Sequence, residues 1–170
     1  EILNNYGRIF SKEEIGKYSS KIHKIIDTIS KSEGITIIYS QYIYGGCVPI
    51  ALALEELGLK RYGRESLFKT PPTENIDAIT MEPKSQYSES KNNRKFITAK
   101  YAMITGDVRF SPNNKKELKA ATDIKNINGE VIKVIIISKA GSEGLDFKNV
   151  RQVHILDPWY NLNRTGQTVG

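Results

Sequence analysis

Cysteine is nearly absent from this chain of 170 residues: Cys47 stands alone, so no disulfide can close within it. That points to a reducing, intracellular setting. The apolar neighbours of Cys47 mark it as a buried, inert thiol rather than a nucleophile. No stretch approaches the ~20 apolar residues of a membrane span, and no signal peptide opens the sequence. Several catalytic signatures are also lacking: no GxxxxGK[ST] phosphate loop, no HExxH, no CxxC pair and no GxSxG elbow. These absences exclude a self-sufficient ATP site, a recognisable metal site and a nucleophile-elbow hydrolase within the chain.

What is present describes a globular domain. Hydrophobic residues make up 39% and charged residues 26% of the sequence, and 170 residues suffice for one domain with a real core. A formal net charge of +6 suits a polyanionic partner such as nucleic acid. A merely soluble basic surface explains the charge equally well.

Local patterns give the elements. Ser11 and Glu14 form a capping box for a helix over 11–31, with Ile15, Tyr18, Ile22, Ile25, Ile26 and Ile29 on one face and Gly34 as its end. Ile35 to Tyr39 reads as a buried strand. Pro49 to Leu57 reads as a second helix with Ile50, Leu52, Ala53, Leu54 and Leu57 inward, closed by Gly58. Lys100 to Thr105 is a strand, and 113–126 is a helix with Leu118, Ala121 and Ile124 inward. Val131 to Ile137 and Val153 to Leu156 are strands. Alternation of this kind predicts an α/β fold with a largely parallel sheet covered on both faces.

Residues 63–99 differ. They are poor in large aliphatics, carry Pro71, Pro72 and Pro83, and include a polar run from Ser85 to Asn93. A loop this long is uncommon inside a compact domain. It reads as a mobile surface insertion, with Lys69, Lys84, Lys91, Arg94 and Lys95 as candidate phosphate contacts, or else as a plain solvated loop.

Three strands run out into small polar groups: Ser40-Gln41, Thr105-Gly106 and Ser138-Lys139-Ala140-Gly141. The carboxyl ends of parallel strands share one edge, so these groups can line a single groove. Hydroxyls, glycine N–H groups and a lysine are the chemistry of contact with a phosphate backbone. Asp146 beside Gly144 can accept from a ribose or orient an arginine, or simply cap a turn. Trp159 and Tyr160 suit either base stacking or loop packing. His154 reads as a face residue of its strand.

SKAGSEGLDFKNVRQVHILDPWYN followed by NRTGQTVG resembles motifs V and VI of superfamily 2 helicases, the latter reading Q-x-x-G-R-x-x-R. KYSSKI, IIYSQYIYGGCVPIALALEELG and YAMITGD look like the helix, motif IV region and following strand of the SNF2/DEAD-like helicases of large nucleocytoplasmic DNA viruses, the mimivirus and poxvirus type. The likeness covers most of the chain apart from 63–99.

The resemblance implies that 1–170 is a RecA-like three-layer lobe, the carboxyl-terminal half of a two-lobe motor driven by ATP and Mg2+. The other lobe supplies the phosphate loop in cis. Carried over by position, Gly144, Asp146, Gln167 and Gly170 are the nucleotide-side residues. Ser40, Gln41, Gly106, Ser138, Lys139, Ala140 and Gly141 lie along nucleic acid, DNA or RNA. The arginines of motif VI fall beyond Gly170, so the chain reads as a fragment with no catalytic residue, no ATPase activity and no bound cofactor of its own. Viral transcription machinery is the implied partner, no membrane is, and the virion and host cytoplasm are the implied locations. A non-catalytic nucleic-acid-binding module stays open as the alternative, while nothing marks the sugar site of a nucleotide-sugar transferase lobe.

Overall fold

The computed structural model describes residues 7–72, 74–142 and 145–157. Five strands form one sheet: β1 (Ile35–Ser40), β2 (Lys60–Arg61), β3 (Lys100–Ile104), β4 (Val134–Ser138) and β5 (Val150–Ile155). Their order is β2-β3-β4-β1-β5, and every pairing is parallel. β1 therefore has β4 on one side, with Ser40 level with Ser138, and β5 on the other, with Tyr39 level with Ile155.

A strand flanked on both sides and covered on both faces is predominantly apolar, which is why ITIIYS shows no regular polar alternation and is wholly buried, Thr36 and Ser40 included. Side chains nevertheless divide by parity between the two faces. Ile38, Tyr101, Met103, Val134 and Ile136 join the core beneath α1 (Ser20–Ile29) and α2 (Val48–Leu57). Ile35, Ile37, Ala102, Ile104, Ile135 and Ile137 join the core on the side of α4 (Asn114–Thr122). The expected RecA-like three-layer α/β lobe is what the chain forms.

Some boundaries moved for local reasons. The helix expected over 11–31 begins only at Ser20, because Ser19 is extended and its hydroxyl accepts from the Ile22 N–H at 3.2 Å. Ser11 does accept from the Glu14 N–H at 3.4 Å, yet it starts only a 3-10 turn that tucks Ile15 into the core and leaves Tyr18 exposed. Gly34 does not end that helix. It makes the left-handed turn into β1, where a Cβ would lie 2.4 Å from Arg151 Cγ. Gly58 closes α2 as expected, with φ of 113°. Ile124 points outward instead of inward, because α4 stops at Thr122. Asn126 occupies the buried position there, bonding the backbone of Ala121, Val131 and Ile132 through both ends of its amide.

The segment from 63 to 99 has structure of its own, including the short helix α3 (Glu89–Asn92), and it reaches the core through Ile76, Ala78 and Met81. Two buried carboxylates fix it. Glu55 of α2 accepts from the Tyr101 hydroxyl at 2.6 Å, from Ser66 and from the N–H groups of Leu67 and Phe68. Asp77, fully buried, is paired with Arg94 and accepts from the N–H groups of Ile79, Thr80 and Ile97. Arg94 is therefore committed internally, and Lys91 lies 3.5 Å from Glu82. A search for large aliphatics overlooks such a segment, because charge and backbone hydrogen bonds hold much of it.

Burial alone pushes the Asp77 carboxyl up, but Arg94 and the converging N–H groups outweigh it and hold it well below the ordinary 3.8. A carboxyl depressed by folding contributes stability that is full above its ordinary value and is lost progressively as pH falls from there through its depressed value in the folded protein. Unfolding at decreasing pH should thus show stability falling below pH 3.8. Arg94→Ala strands a buried charge, so its denaturant midpoint at neutral pH should correspond to a loss of about 3 kcal/mol. The acid-side loss should shrink in the variant.

Candidate nucleic-acid interface

All five strands point the same way, so Ser40, Arg61, Ile104, Ser138 and Ile155 end on one edge. β4 lies between β1 and β3. The turn that leaves it at Ser138 is thereby bracketed by the loops after Ser40 and after Ile104. Three separate stretches of sequence meet at this place.

The buried hydroxyls shape the edge. Ser138 donates to the Thr105 carbonyl at 2.6 Å and accepts from the Gly141 N–H at 3.3 Å, closing the Ser138–Gly141 turn against β3. Only glycine fits at 141, since a Cβ there would lie 1.9 Å from the Ile104 carbonyl oxygen. Gly106, with φ of 72°, comes so close to Ala140 that a Cβ would lie 3.0 Å from its methyl carbon. Thr105 is tied to Ser111, whose hydroxyl accepts from the Thr105 N–H at 3.0 Å.

Beside it, Ser40 donates to the Asp157 carboxylate at 2.5 Å, and the Gln41 N–H donates to the other carboxylate oxygen at 2.9 Å. Gly46 packs against that serine so closely that a Cβ would fall 1.9 Å from its Oγ. Cys47 is buried beneath, and burial together with the Asp157 charge pushes its thiol up to about 12. At neutral pH it is a protonated, inert thiol, as its setting in the sequence suggested.

The residues read from the sequence thus fall into two groups. Ser40 and Ser138 are buried and bonded within the protein, to the Asp157 carboxylate and the Thr105 carbonyl, whereas Gly106, Lys139 and Ala140 are exposed along the edge and Gln41 and Gly141 are half-buried there. Asp146 is exposed in the connection from β4 to β5. Gly144, Gln167 and Gly170, and with them Trp159 and Tyr160, lie outside the described residues. Asp157 was missed, although its signal was available: it follows the apolar run of β5 directly, as Ser40 follows that of β1. His154 is half-buried on β5 as expected, its imidazole pKa pushed down by burial. No group of three or more His, Cys, Asp or Glu side chains among the described residues could hold a metal ion. No helix among them is long and apolar enough to cross a membrane.

A five-stranded parallel sheet covered on both faces by helices has the architecture of a RecA-like lobe. Residues 20–170 match the family described as the helicase conserved C-terminal domain, and the chain belongs to that family. It is similar to the "Termination factor NPH-I homolog" of African swine fever virus (isolate Warthog/Namibia/Wart80/1980), at 31% identity over 88% of this chain and 22% of the relative. It is also similar to two proteins of Acanthamoeba polyphaga mimivirus named "Putative ATP-dependent RNA helicase". One is 30% identical over 92% of this chain and 22% of the relative, the other 28% identical over 100% and 31%. The chain thus spans between about a fifth and a third of the length of these relatives.

Two substitutions probe the edge. Asp157→Asn keeps the shape but can accept through one oxygen only, so it should cost about 1–3 kcal/mol in thermal or denaturant unfolding. Gly141→Ala must displace a backbone carbonyl, and a loss of about 1–3 kcal/mol is expected. An unchanged melting temperature for Gly141→Ala would contradict the close approach to Ile104.

Proposed function

We propose that this lobe serves an ATP-dependent helicase or translocase and that its carboxyl edge carries the nucleic-acid backbone. The observation behind this reading is the Ser138–Gly141 turn, bracketed by the loops after β1 and β3 at one edge of a helicase C-terminal lobe. Gly106, Lys139 and Ala140 are the contacting residues, through exposed backbone and one ammonium, while Gly141, its N–H engaged by Ser138, shapes the turn that presents them. Ser40, Gln41 and Ser138 position them, since both hydroxyls and the Gln41 N–H are engaged within the protein. Such contacts hold a strand without reading its bases. A net charge of +6 supports the same partner.

ATP and Mg2+ belong, on this reading, to the cleft shared with another RecA-like lobe in cis. The GLDF stretch with Gly144 and Asp146 and the QTVG stretch with Gln167 and Gly170 are this lobe's nucleotide-side segments, the counterparts of motifs V and VI. The exposed carboxylate of Asp146 is chemically suited to accept from a ribose hydroxyl or to orient an arginine. The sequence offers no phosphate loop, and the described residues offer no metal cluster. Phosphate and metal binding therefore rest chiefly with the other lobe, and this chain alone should turn over no ATP. Relatives named for termination and for RNA helicase activity support a part in viral transcription, and the infected cell's cytoplasm and the virion are the places that reading implies.

The test is binding of a labelled oligonucleotide at several salt concentrations. Affinity should fall steeply with salt, and Lys139→Gln should flatten the slope of log K against log salt by roughly 0.7–0.9 while weakening binding several-fold. A Lys139→Gln variant with unaltered affinity and slope would remove this edge from the nucleic-acid path. Metal-dependent ATP turnover by the 170-residue chain would overturn the two-lobe reading.

A further inference from the structure

Tyr42, Tyr44 and Val108 make up half of the large apolar side chains left exposed among the described residues, and all three follow strands at the carboxyl edge. Tyr42 is 59% exposed, Tyr44 62% and Val108 73%. Single exposed hydrophobics need no explanation, but a cluster at a candidate site does.

The cluster is built rather than loose. Tyr44 sits in a five-residue π-helical turn, Ile43–Cys47, closed by the Cys47 N–H donating to the Tyr42 carbonyl at 2.9 Å. Turns of this type are rare and frequently mark functional sites. Gly46 packs the turn onto Ser40, which fixes its back against β1 while Tyr44 stays outward. From the other loop, Phe110 meets the Tyr44 ring edge-on with centroids 5.5 Å apart. The Arg109 guanidinium lies 5.7 Å from the Tyr44 ring centroid. Asp107 holds that guanidinium in a two-point pair, with Nε to Oδ1 at 3.0 Å and Nη2 to Oδ2 at 2.6 Å. A guanidinium fixed over the ring of an exposed phenol makes a surface on which a flat heterocycle can stack.

Because β1 and β3 flank β4, this platform brackets the Ser138–Gly141 turn. We propose that Tyr44, supported by Arg109, stacks an unpaired base of the strand whose backbone rides on that turn, so that the groove selects nucleic acid with accessible bases over paired duplex. This rests on the backbone-groove reading above and adds what that reading lacks: a contact to the bases, and so a reason to prefer a single strand. Base stacking is tolerant of sequence, because every base has a π face.

The experiment compares two labelled oligonucleotides of equal length and charge, one of thymidines and one with an abasic backbone, on the 170-residue chain. The thymidine strand should bind about tenfold more tightly. Tyr44→Ala should abolish that preference while leaving abasic binding unchanged, and Tyr44→Phe should retain it. Lys139→Gln should weaken both ligands equally. Equal affinity of the wild-type chain for the two ligands, or an equal weakening of both by Tyr44→Ala, overturns base stacking and leaves the backbone groove standing. Absence of salt-dependent binding to either ligand overturns the groove and this inference with it.

Discussion

The burial of β1 on both faces and both edges is the constraint on which the rest of the lobe depends. The backbone of a strand so placed pairs with β4 and β5, and its side chains, Thr36 apart, are largely apolar up to the point where it emerges. Where it emerges, its last hydroxyl has to be satisfied, and the Asp157 carboxylate satisfies it. One carboxylate at the end of β5 therefore sets the direction of the chain after Ser40. It also sets the starting point of the turn that carries Tyr44.

The neighbouring turn after β4 follows the same logic with different groups. Ser138 satisfies itself on the Thr105 carbonyl and then receives the Gly141 N–H, so the turn folds back onto β3. Glycine at 106 and 141 lets the turns after β3 and β4 approach more closely than side chains allow, and Gly46 does the same for the turn after β1 against Ser40. The resulting edge is shaped by buried polar groups and presents backbone amides, one lysine and a pair of tyrosines to the outside. Side chains presented on such an edge are held from below by buried hydrogen bonds and close glycine packing.

The long segment between β2 and β3 is held by the same means. Glu55 gathers the Ser66 hydroxyl and the N–H groups of Leu67 and Phe68, and Asp77 gathers Arg94 with the amides around it. Charge-assisted bonds to buried carboxylates replace the aliphatic packing that the composition of the segment cannot supply. Two of the cationic groups first considered as phosphate contacts, Arg94 and Lys91, face carboxylates of the same segment instead.

Much of the architecture was legible without coordinates. Apolar runs of five or six residues, helices with one buried face, and glycine or proline at their ends are local signals, and they gave the order of elements and the three layers. Motif-like runs such as SKAGSEGLDF and the net positive charge pointed to a helicase lobe, and the family match agrees. The sequence could not decide which strands adjoin or what each polar group at their ends would meet. Asp157 bonds Ser40 across 117 positions, and Asp77 pairs with Arg94 across 17. Such partnerships arise only when the strand order and the path of the long segment are set by packing of the whole chain. For the same reason Ser40 and Ser138, which read as surface contacts, became internal supports. Tyr44 and Arg109, which read as nothing in particular, came together at the edge.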